Sequence, residues 1–360
     1  MNKYKHKYKI VSGGIVLLAL TGLGACDKKE IEVVEVWEDH YVEQPVDTVA
    51  VVDNPYLDNR IACGAEVLGD GRTLNAVNLF LDDGELFVAN AGGRSVDVFD
   101  AATLTYLRSF SHDGRTDARD VCAEGDHLFV AAGDSREVQI FDRRSGAYQT
   151  RLGTGSWTGN VSFAGCVAAT GRFVFVRDSK AANIRVFDRE AIDLSAASNN
   201  TPYASIDIDG HYIDTYAQKS SNDMTVTADS LYVFIPKDNL GEGLVYAYSL
   251  ADIERKQAPF TKTRLPDGMK IYSAAPDTGR GTVFLAVERD GLRSVEEFGL
   301  NDFRNRRFDT PLRTFPDGTR YGFPRQPMIA CLGDDLFFAE GGEVERWTMF
   351  NEPSYVIRPR

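Results

Sequence analysis

The segment LFVANAGGRSVDVFD, Leu86–Asp100, contains the pattern that most of the chain repeats. An apolar run leads into a polar loop rich in Gly and Ser, and a second alternating run then ends in Val-Phe-Asp. Segments of the same design begin at five later positions, Leu128, Val174, Leu231, Val283 and Leu336. Alternating apolar residues between Gly- and Asp-rich breaks predict β-strands joined by tight turns. The chain therefore contains six copies of one β-rich unit.

The spacing of these copies predicts how many strands each unit holds. Their starts are separated by 42, 46, 57, 52 and 53 residues, which suits a four-stranded unit. A first strand precedes a tight turn, the second is the LFVA-type run, the third ends in VFD or its equivalent, and a fourth follows, as in LTYLRSF, Leu104–Phe110. Six such units predict an all-β, six-bladed β-propeller of four-stranded antiparallel blades.

The third-strand motifs carry a family resemblance. They are VDVFD at Val96–Asp100, VQIFD at Val138–Asp142 and IRVFD at Ile184–Asp188. These motifs resemble the blade motifs of NHL-type six-bladed propellers, and the resemblance runs from about Arg60 to the C-terminus. It implies that residues 60–360 form one propeller domain.

The two ends of the repeat region predict how the ring closes. After the third strand of the last unit, in Glu343–Phe350, only ten residues remain, whereas RIACGAEVL, Arg60–Leu68, precedes the first unit as a spare strand. We expect Arg60–Leu68 to complete the sixth blade, because this closure would remove an exposed sheet edge. In the alternative, Tyr355–Arg358 completes it.

The first 25 residues have the features of a secretory signal. A leader with four lysines precedes the apolar run Ile10–Leu23, which is too short to span a membrane comfortably. The following LGAC, Leu23–Cys26, resembles the lipobox of bacterial lipoproteins. The resemblance implies that Cys26 is acylated and becomes the first residue of a lipid-anchored protein. The alternative is an ordinary cleaved signal with an accidental cysteine.

Residues 26–59 form an acidic segment that we interpret as a tether, since like charges extend a chain. Within it, Ile31–Val36 or Val49–Val52 could still add a strand to a sheet. The whole chain has a formal charge of −13, and loss of the four leader lysines lowers it to −17. Such an acidic protein is a poor partner for nucleic acid.

Four cysteines remain after Cys26, and none of them forms a CxxC pair. They are Cys63, Cys122, Cys166 and Cys331. This spacing does not predict a zinc site or a redox motif. We expect buried free thiols, and a disulfide between Cys122 and Cys166 is the alternative.

The segment FSHDGRTDARD, Phe110–Asp120, concentrates His, Asp and Arg, but comparison with the other units favours a structural role. Asp-Gly occurs at five of the six blade junctions. An Asp side chain closes a tight turn and Gly adopts positive φ without steric cost, so we interpret Asp113 and Gly114 as turn residues. The spacing also differs from that of an EF-hand calcium loop.

Arg and Lys lie beside aromatic residues in the loops that join the blades and in those that join second to third strands. In propellers both sets of loops surround one mouth of the central channel. Guanidinium groups and rings suit a planar, anionic or polyhydroxylated ligand. For each residue, the alternative is a solvated side chain paired with a nearby carboxylate. The candidate ligand-binding residues are His112, Arg115, Arg119, Trp157, His211, Tyr212, Tyr216, Lys219, Arg289, Arg320, Tyr321 and Arg325.

The sequence gives less support to an enzymatic function. Peptidylglycine-lyase-like propellers need several His residues around a metal, and the loops around the channel mouth supply only His112 and His211. Gluconolactonase-like propellers bind a divalent ion, but the candidate ligands Glu288, Asp178 and Asn183 form no recognisable motif. Neither a G-x-S-x-G elbow nor a P-loop occurs. We therefore predict a protein that is not an enzyme, with no catalytic residue, metal or cofactor.

The lipobox, the acidic tether and the single propeller together resemble surface lipoproteins of Bacteroidetes-type bacteria. The resemblance implies an outer-membrane location at the cell surface and a TonB-dependent transporter as partner. It also implies capture of a scarce ligand, for which we prefer a ferric siderophore because the loops combine Arg with aromatic residues. Alternatives are cobalamin or a glycan as ligand, a protein-interaction scaffold, or a metal-dependent lactonase-like enzyme.

Overall fold

The structure is a computed structural model that describes most of the repeat region and short segments outside it. The described residues are 5–9, 15–17, 33–35, 41–45, 48–52, 60–63, 68, 70–114, 116–153, 161–179, 181, 183–208, 224–236, 242–315, 328–333, 335–340, 342–348 and 355–359. Cys26 and most of the leader and tether lie outside the described residues. No helix within the described ranges is long and apolar enough to cross a membrane.

The chain divides into two compact units, Ile61–Arg346 and the two chain ends, Met1–Arg60 with Trp347–Arg360. The described residues of the unit of chain ends form three antiparallel strand pairs. They are Lys5–Lys9 with Tyr41–Pro45, Ile15–Leu17 with Val33–Glu35, and Thr48–Val52 with Tyr355–Pro359.

Six sheets of four antiparallel strands form the propeller, and in each blade we number the strands first to fourth from one edge. Blade 1 contains Ala76–Asp82, Glu85–Asn90, Ser95–Asp100 and Tyr106–Phe110; blade 2 contains Ala118–Glu124, His127–Ala132, Glu137–Asp142 and Tyr148–Leu152; blade 3 contains Ala164–Ala169, Phe173–Asp178, Asn183–Asp188 and Ala204–Asp207. Blade 4 contains Met224–Val226, Ser230–Ile235, Leu244–Ser249 and Phe260–Arg264; blade 5 contains Met269–Asp277, Thr282–Arg289, Leu292–Gly299 and Arg313–Phe315; blade 6 contains Met328–Leu332, Asp335–Glu340, Glu343–Thr348 and Arg60–Cys63.

The six-bladed propeller predicted from the repeats is confirmed, and so is its closure by the N-terminal segment. The fourth strand of blade 6 is Arg60–Cys63, beside Glu343–Thr348. The alternative closure is wrong, because Tyr355–Pro359 pairs with Thr48–Val52 instead. A strand from the start of the repeat region thus completes a sheet from its end and covers what would be an open edge.

The Asp that ends the VFD motif closes the turn into the fourth strand. In blade 2, Asp142 Oδ1 accepts hydrogen bonds from the backbone N–H and the hydroxyl of Ser145 at 2.7 and 2.6 Å. In blade 1, Asp100 accepts the corresponding pair from Thr103, both at 2.8 Å. These bonds lower the pKa of both carboxyl groups. The motif is therefore a turn signal.

Short helices replace this turn where the Asp is missing. The third strand ends in Ser249 in blade 4 and in Gly299 in blade 5, and the α-helices Leu250–Glu254 and Leu300–Arg304 follow. Blade 3 retains its Asp and continues into the 3-10 helix Arg189–Ala191.

The hydrophobic core lies between the blades. Five clusters of buried side chains are described, and each joins two adjacent blades: 1 with 2, 2 with 3, 3 with 4, 4 with 5, and 6 with 1. Phe87 of blade 1 and Phe141 of blade 2, for example, are fully buried in one cluster. Burial of one such ring stabilises the fold by roughly 1.5–3 kcal/mol, so each blade depends on its neighbours.

Candidate ligand-binding sites

The two mouths of the ring carry different connections. We call the end with the fourth-to-first-strand connections the junction face, and the end with the first-to-second-strand hairpins the hairpin face. The sequence predicts a ligand site on the junction face. Nine of its twelve residues lie outside the described residues: Arg115, Trp157, His211, Tyr212, Tyr216, Lys219, Arg320, Tyr321 and Arg325. The other three, His112, Arg119 and Arg289, are described.

His112 lies against the outermost strand of blade 2. Its ring stacks on Tyr148 with centroids 3.6 Å apart and planes inclined by 5°. Tyr148 belongs to the fourth strand, which is three strand spacings, about 14 Å, from the first strand. The backbone N–H of His112 donates to Thr116 Oγ1 at 2.9 Å. These contacts fix His112 at the outer part of the blade.

Arg119 stands near the start of the first strand of blade 2 and is engaged by an adjacent carboxylate. Its Nε and Nη2 donate to Asp117 Oδ2 at 3.0 and 2.8 Å, and Nη2 lies 3.8 Å from Asp134 Oδ2. Only 13% of the Arg119 side chain is exposed. An anionic ligand would have to displace Asp117 to bind this guanidinium.

Arg289 ends the second strand of blade 5 and forms a forked ion pair. Its Nε and Nη2 donate to the two carboxylate oxygens of Glu296 at 2.7 and 2.9 Å, and Nη2 also donates to the carbonyl of Phe308 at 2.6 Å. Glu296 is buried, with 3% exposure. Such a charge-assisted, bidentate pair is a structural contact.

The structure does not bring the three described candidates together. His112 contacts the outer strand of blade 2, Arg119 belongs to the inner strand of the same blade, and Arg289 belongs to blade 5. Arg119 and Arg289 each pair with a nearby carboxylate, Asp117 and Glu296 respectively.

The turn interpretation of the Asp-Gly junctions is confirmed wherever the structure describes it. Asp113 and Gly114 have φ of 51° and 62°. At two other junctions, Gly71 and Gly268 have φ of 77° and 75°. These left-handed conformations are the ones that Gly adopts readily.

One described pocket of about 290 Å³ opens on the junction face between blades 4 and 5. The cations that line it are paired: Arg264 lies 2.9 Å from Glu242 and 3.2 Å from Asp267, and Lys270 pairs with Glu288. Burial is the largest single effect on Glu288 and raises its pKa, but the hydrogen bonds and positive charges of Lys270 and Arg293 together outweigh it, so the net shift is downward. This pocket has balanced charge.

A second cavity, also of about 290 Å³, is lined by the first strands of the blades. These strands therefore surround the central channel, and the cavity lies inside that channel. All six first strands line it, and in blades 1, 2, 3 and 5 the lining comes from the half of the strand that leads into the hairpin. On blade 2 the lining runs from Val121 to Glu124, just before the hairpin to His127. The cavity therefore lies toward the hairpin face, at the opposite end from the predicted site. Sequence reasoning missed it.

A layer of polar side chains joins neighbouring first strands farther from the hairpins. A β-bulge precedes Asn78, Asp120 and Ser273 in blades 1, 2 and 5. Asn78 Nδ2 donates to Asp120 Oδ1, and the backbone N–H of Val167 in blade 3 donates to Asp120 Oδ2 at 2.8 Å. Ser273 Oγ accepts from the N–H of Ile329 in blade 6 at 3.3 Å.

Asp120 is the centre of this layer, with 1% exposure. Burial raises its pKa to about 7, although the hydrogen bonds that the carboxylate accepts oppose the shift. The available signal was an Asp at a buried position of the strand ARDVCAE, since a buried carboxylate needs a hydrogen-bond partner.

The described cysteines and Asp178, one of the candidate metal ligands, are held in structural contacts. Cys122, Cys166 and Cys331 form no disulfide, so the alternative of a Cys122–Cys166 disulfide is wrong, and burial raises the pKa of each thiol. Asp178 accepts three backbone N–H groups at 2.6 to 3.2 Å and holds the junction into blade 3. Within the described ranges, no three His, Cys, Asp or Glu side chains form a group that could hold a metal.

Comparison with known proteins shows a similarity of fold. No protein-family model and no curated protein sequence matches the chain. Kuenenia stuttgartiensis hydrazine synthase matches with a TM-score of 0.50 and 13% identity, over 74% of each chain. The β-propeller domain of Myceliophteria thermophila Cps50 (Swd1) matches with a TM-score of 0.47 and 11% identity, over 78% of this chain and 98% of that domain. At these identities the comparison says nothing about activity.

Proposed function

We propose that the protein is a lipid-anchored propeller that captures a small ligand at the outer-membrane surface and passes it to a TonB-dependent transporter. The ligand binds to the loops of the junction face without being transformed, so the protein is a binding protein and not an enzyme. Cys26 supplies the anchor, and residues 26–59 hold the ring away from the membrane.

This proposal rests on one observation, the positions at which the strands flanking the Arg- and aromatic-rich junctions end. The connection 209–223 lies between Asp207 and Met224, and 316–327 lies between Phe315 and Met328. Both run from a fourth strand to the next first strand, as does 153–163. Because the six first strands surround one channel in the same direction, the described strand ends that flank the three connections lie at the same face, and we place the predicted site there.

The composition of these connections favours an anionic or polyhydroxylated ligand. They contain Trp157, Tyr212, Tyr216 and Tyr321 beside Arg320 and other basic residues. Arginine offers forked hydrogen bonds to oxyanions, and the rings offer stacking surface. A ferric siderophore is therefore the preferred ligand, and cobalamin and glycans are the next to test.

Ligand titration tests the proposal directly. Residues 27–360 would be titrated with a ferric catecholate siderophore, cobalamin and an oligosaccharide while tryptophan fluorescence is followed, with free tryptophan as the control for light absorption by the ligand. We expect saturable quenching by one ligand and a smaller response in Trp157→Phe. The absence of binding for all three ligands, by fluorescence and by calorimetry, would refute the capture function.

A pair of charge reversals tests the position of the site. Arg115→Glu combined with Arg320→Glu should weaken binding of an anionic ligand at least tenfold. Arg144→Glu is the matched control, because Arg144 is 88% exposed in the third-to-fourth connection of blade 2, away from the junctions. Equal losses in both variants would show that net charge, and not the junction face, governs binding.

A further inference from the structure

We propose that the channel cavity near the hairpin face is a second ligand site, and that it takes a small, uncharged molecule. Its volume of about 290 Å³ is close to the lower end of the range of about 300–1,000 Å³ that small-molecule sites occupy. The inference rests on the cavity alone, so it stands or falls independently of the site on the junction face.

Small side chains create this cavity. Blade 1 contributes Phe80 and Leu81, whereas the other blades mostly place alanine at the corresponding level of the first strand. The alanines that line the cavity are Ala123, Ala168, Ala169, Ala274, Ala275 and Ala330. A ring of six strands that all carried residues as large as Phe80 would fill this space, so the alanines leave room for a molecule.

The lining provides little charge to hold an ion. Of its described residues only Glu124 is charged, and its carboxylate lies 3.6 Å from Nη1 of Arg189. The remaining polar side chains are the hydroxyls of Thr225 and Thr278 and two thiols. Transfer of an ion from water into such surroundings is costly without an opposite charge, which excludes the anionic ligand class proposed for the junction face.

Phe80 gives the cavity one aromatic wall. It is partly exposed at the lining, and its ring centroid lies 6.3 Å from that of buried Phe87. An aromatic ring backed by a second ring offers a flat apolar surface on which a planar molecule can stack. The geometry therefore favours a molecule that contains an uncharged ring.

Two probes that differ by one charged group test the ligand class. Residues 27–360 would be titrated with N-phenyl-1-naphthylamine, which is neutral, and with 1-anilinonaphthalene-8-sulfonate, which has the same ring system and a sulfonate. We expect saturable binding of the neutral probe and at least tenfold weaker binding of the sulfonate. No binding of the neutral probe, or equal binding of both, would overturn the proposal.

Filling the cavity tests the location. Ala275→Phe places a ring in the channel and should weaken binding of the neutral probe at least tenfold. Ala251→Phe, on the exposed surface of helix Leu250–Glu254, is the matched control and should bind as the unmodified protein does. Probe affinity in Ala275→Phe within twofold of the control would place binding elsewhere and overturn the proposal.

A measurement without any substitution covers the case in which Ala275→Phe does not fold. Cys331 lines the cavity and is partly exposed, and its Sγ donates to the carbonyl of Ala275 at 3.4 Å. Saturating neutral probe should slow modification of Cys331 by methyl methanethiosulfonate at least fivefold, as followed by peptide mass spectrometry. An unchanged rate would contradict the assignment.

Discussion

The substitution Asp120→Asn tests the buried polar layer that joins the first strands of blades 1, 2 and 3. In the native protein Asp120 Oδ1 accepts from Asn78 Nδ2 and from the N–H of Val121 at 2.7 Å, and Oδ2 accepts from the N–H of Val167 at 2.8 Å. Asparagine has nearly the same shape but replaces one acceptor oxygen with an NH2 group. In either orientation that group meets a backbone N–H.

The expected cost depends on pH. At pH 5 the carboxyl group of Asp120 is mainly protonated, and its hydroxyl can still accept a hydrogen bond that the amide of asparagine cannot. An unsatisfied buried donor costs about 1–3 kcal/mol. We therefore expect the free energy of unfolding of Asp120→Asn to lie about 1–2 kcal/mol below that of the native protein at pH 5.

This difference should shrink and then reverse as the pH rises. Burial raises the pKa of Asp120 from 3.8 to about 7, so the folded state holds a proton that the unfolded chain has lost. The stability that this proton provides is lost as pH rises toward 7, at about 1.4 kcal/mol per pH unit. From pH 5 to pH 8 the native protein should lose about 3 kcal/mol relative to the variant, which becomes the more stable of the two.

Urea unfolding of both proteins at pH 5, 6, 7 and 8 measures this crossover. Burial lowers the pKa of His127, which makes stability rise with pH, but His127 is present in both proteins and cancels in the difference. Asp134→Asn, at a carboxylate with 75% exposure, is the control and should stay within about 0.5 kcal/mol of the native protein. A difference that does not change from pH 5 to pH 8 would show that Asp120 is already ionised in the folded state, and would refute the raised pKa.

Three further substitutions test other parts of the fold by thermal unfolding. Gly114→Ala should lower the free energy of unfolding by about 1 kcal/mol, because φ of Gly114 is +62°. Gly171→Ala is the control and should be neutral or slightly stabilising, because Gly171 has similar open space around it and no positive φ. Equal shifts of Tm in the two variants would refute the turn assignment. Arg143→Ala should lower the free energy of unfolding by about 1–3 kcal/mol, because this side chain is 14% exposed, pairs with Asp82 of the neighbouring blade and covers the ring of Phe87. Arg144→Ala is the control and should cost less than about 0.5 kcal/mol, because Arg144 is 88% exposed. Equal losses in the two variants would contradict the role of the contact between blades. Asp142→Ala should lower Tm at pH 7, and the gap to the native protein should narrow as falling pH protonates the carboxyl group, because a carboxyl group with a lowered pKa stabilises only while ionised; a gap that does not narrow in acid would assign the loss to another cause.

We choose Arg143 for substitution because it forms one of a series of ion pairs on the hairpin face. Neighbouring blades are joined there by contacts between the first hairpin of one blade and the third-to-fourth connection of the next. The pairs are Asp82 with Arg143, Glu124 with Arg189 at 3.6 Å, Arg172 with Glu254 at 2.9 Å, and Asp229 with Arg304 at 3.9 Å. The third pair has the opposite polarity, so position matters more than the sign of the charge.

The fold could be predicted from the sequence because its signals are local and repeated. Period-two alternation gives strands, Asp and Gly give turns, and six repeats give the ring. Counting strands in the first and last units predicted closure by Arg60–Leu68, and the closing strand is Arg60–Cys63. Each of these features depends on residues that are close together in the chain.

The contacts of individual side chains could not be predicted in the same way. Arg119 and Arg289 were selected as loop cations, but their partners Asp117 and Glu296 are set by turn geometry and strand register. The cavity arises where small residues from separate blades meet across the channel. Such contacts depend on inter-blade packing, which periodicity within one blade does not reveal.

The most direct test of the proposed function is a hydrogen-exchange footprint of the bound ligand. Residues 27–360 would be compared by mass spectrometry with and without saturating ferric catecholate siderophore. We predict slower exchange in the junction connections 153–163, 209–223 and 316–327, and no change in the hairpins of the opposite face. Protection confined to the hairpin face, or no protection anywhere, would contradict ligand capture by the junction face.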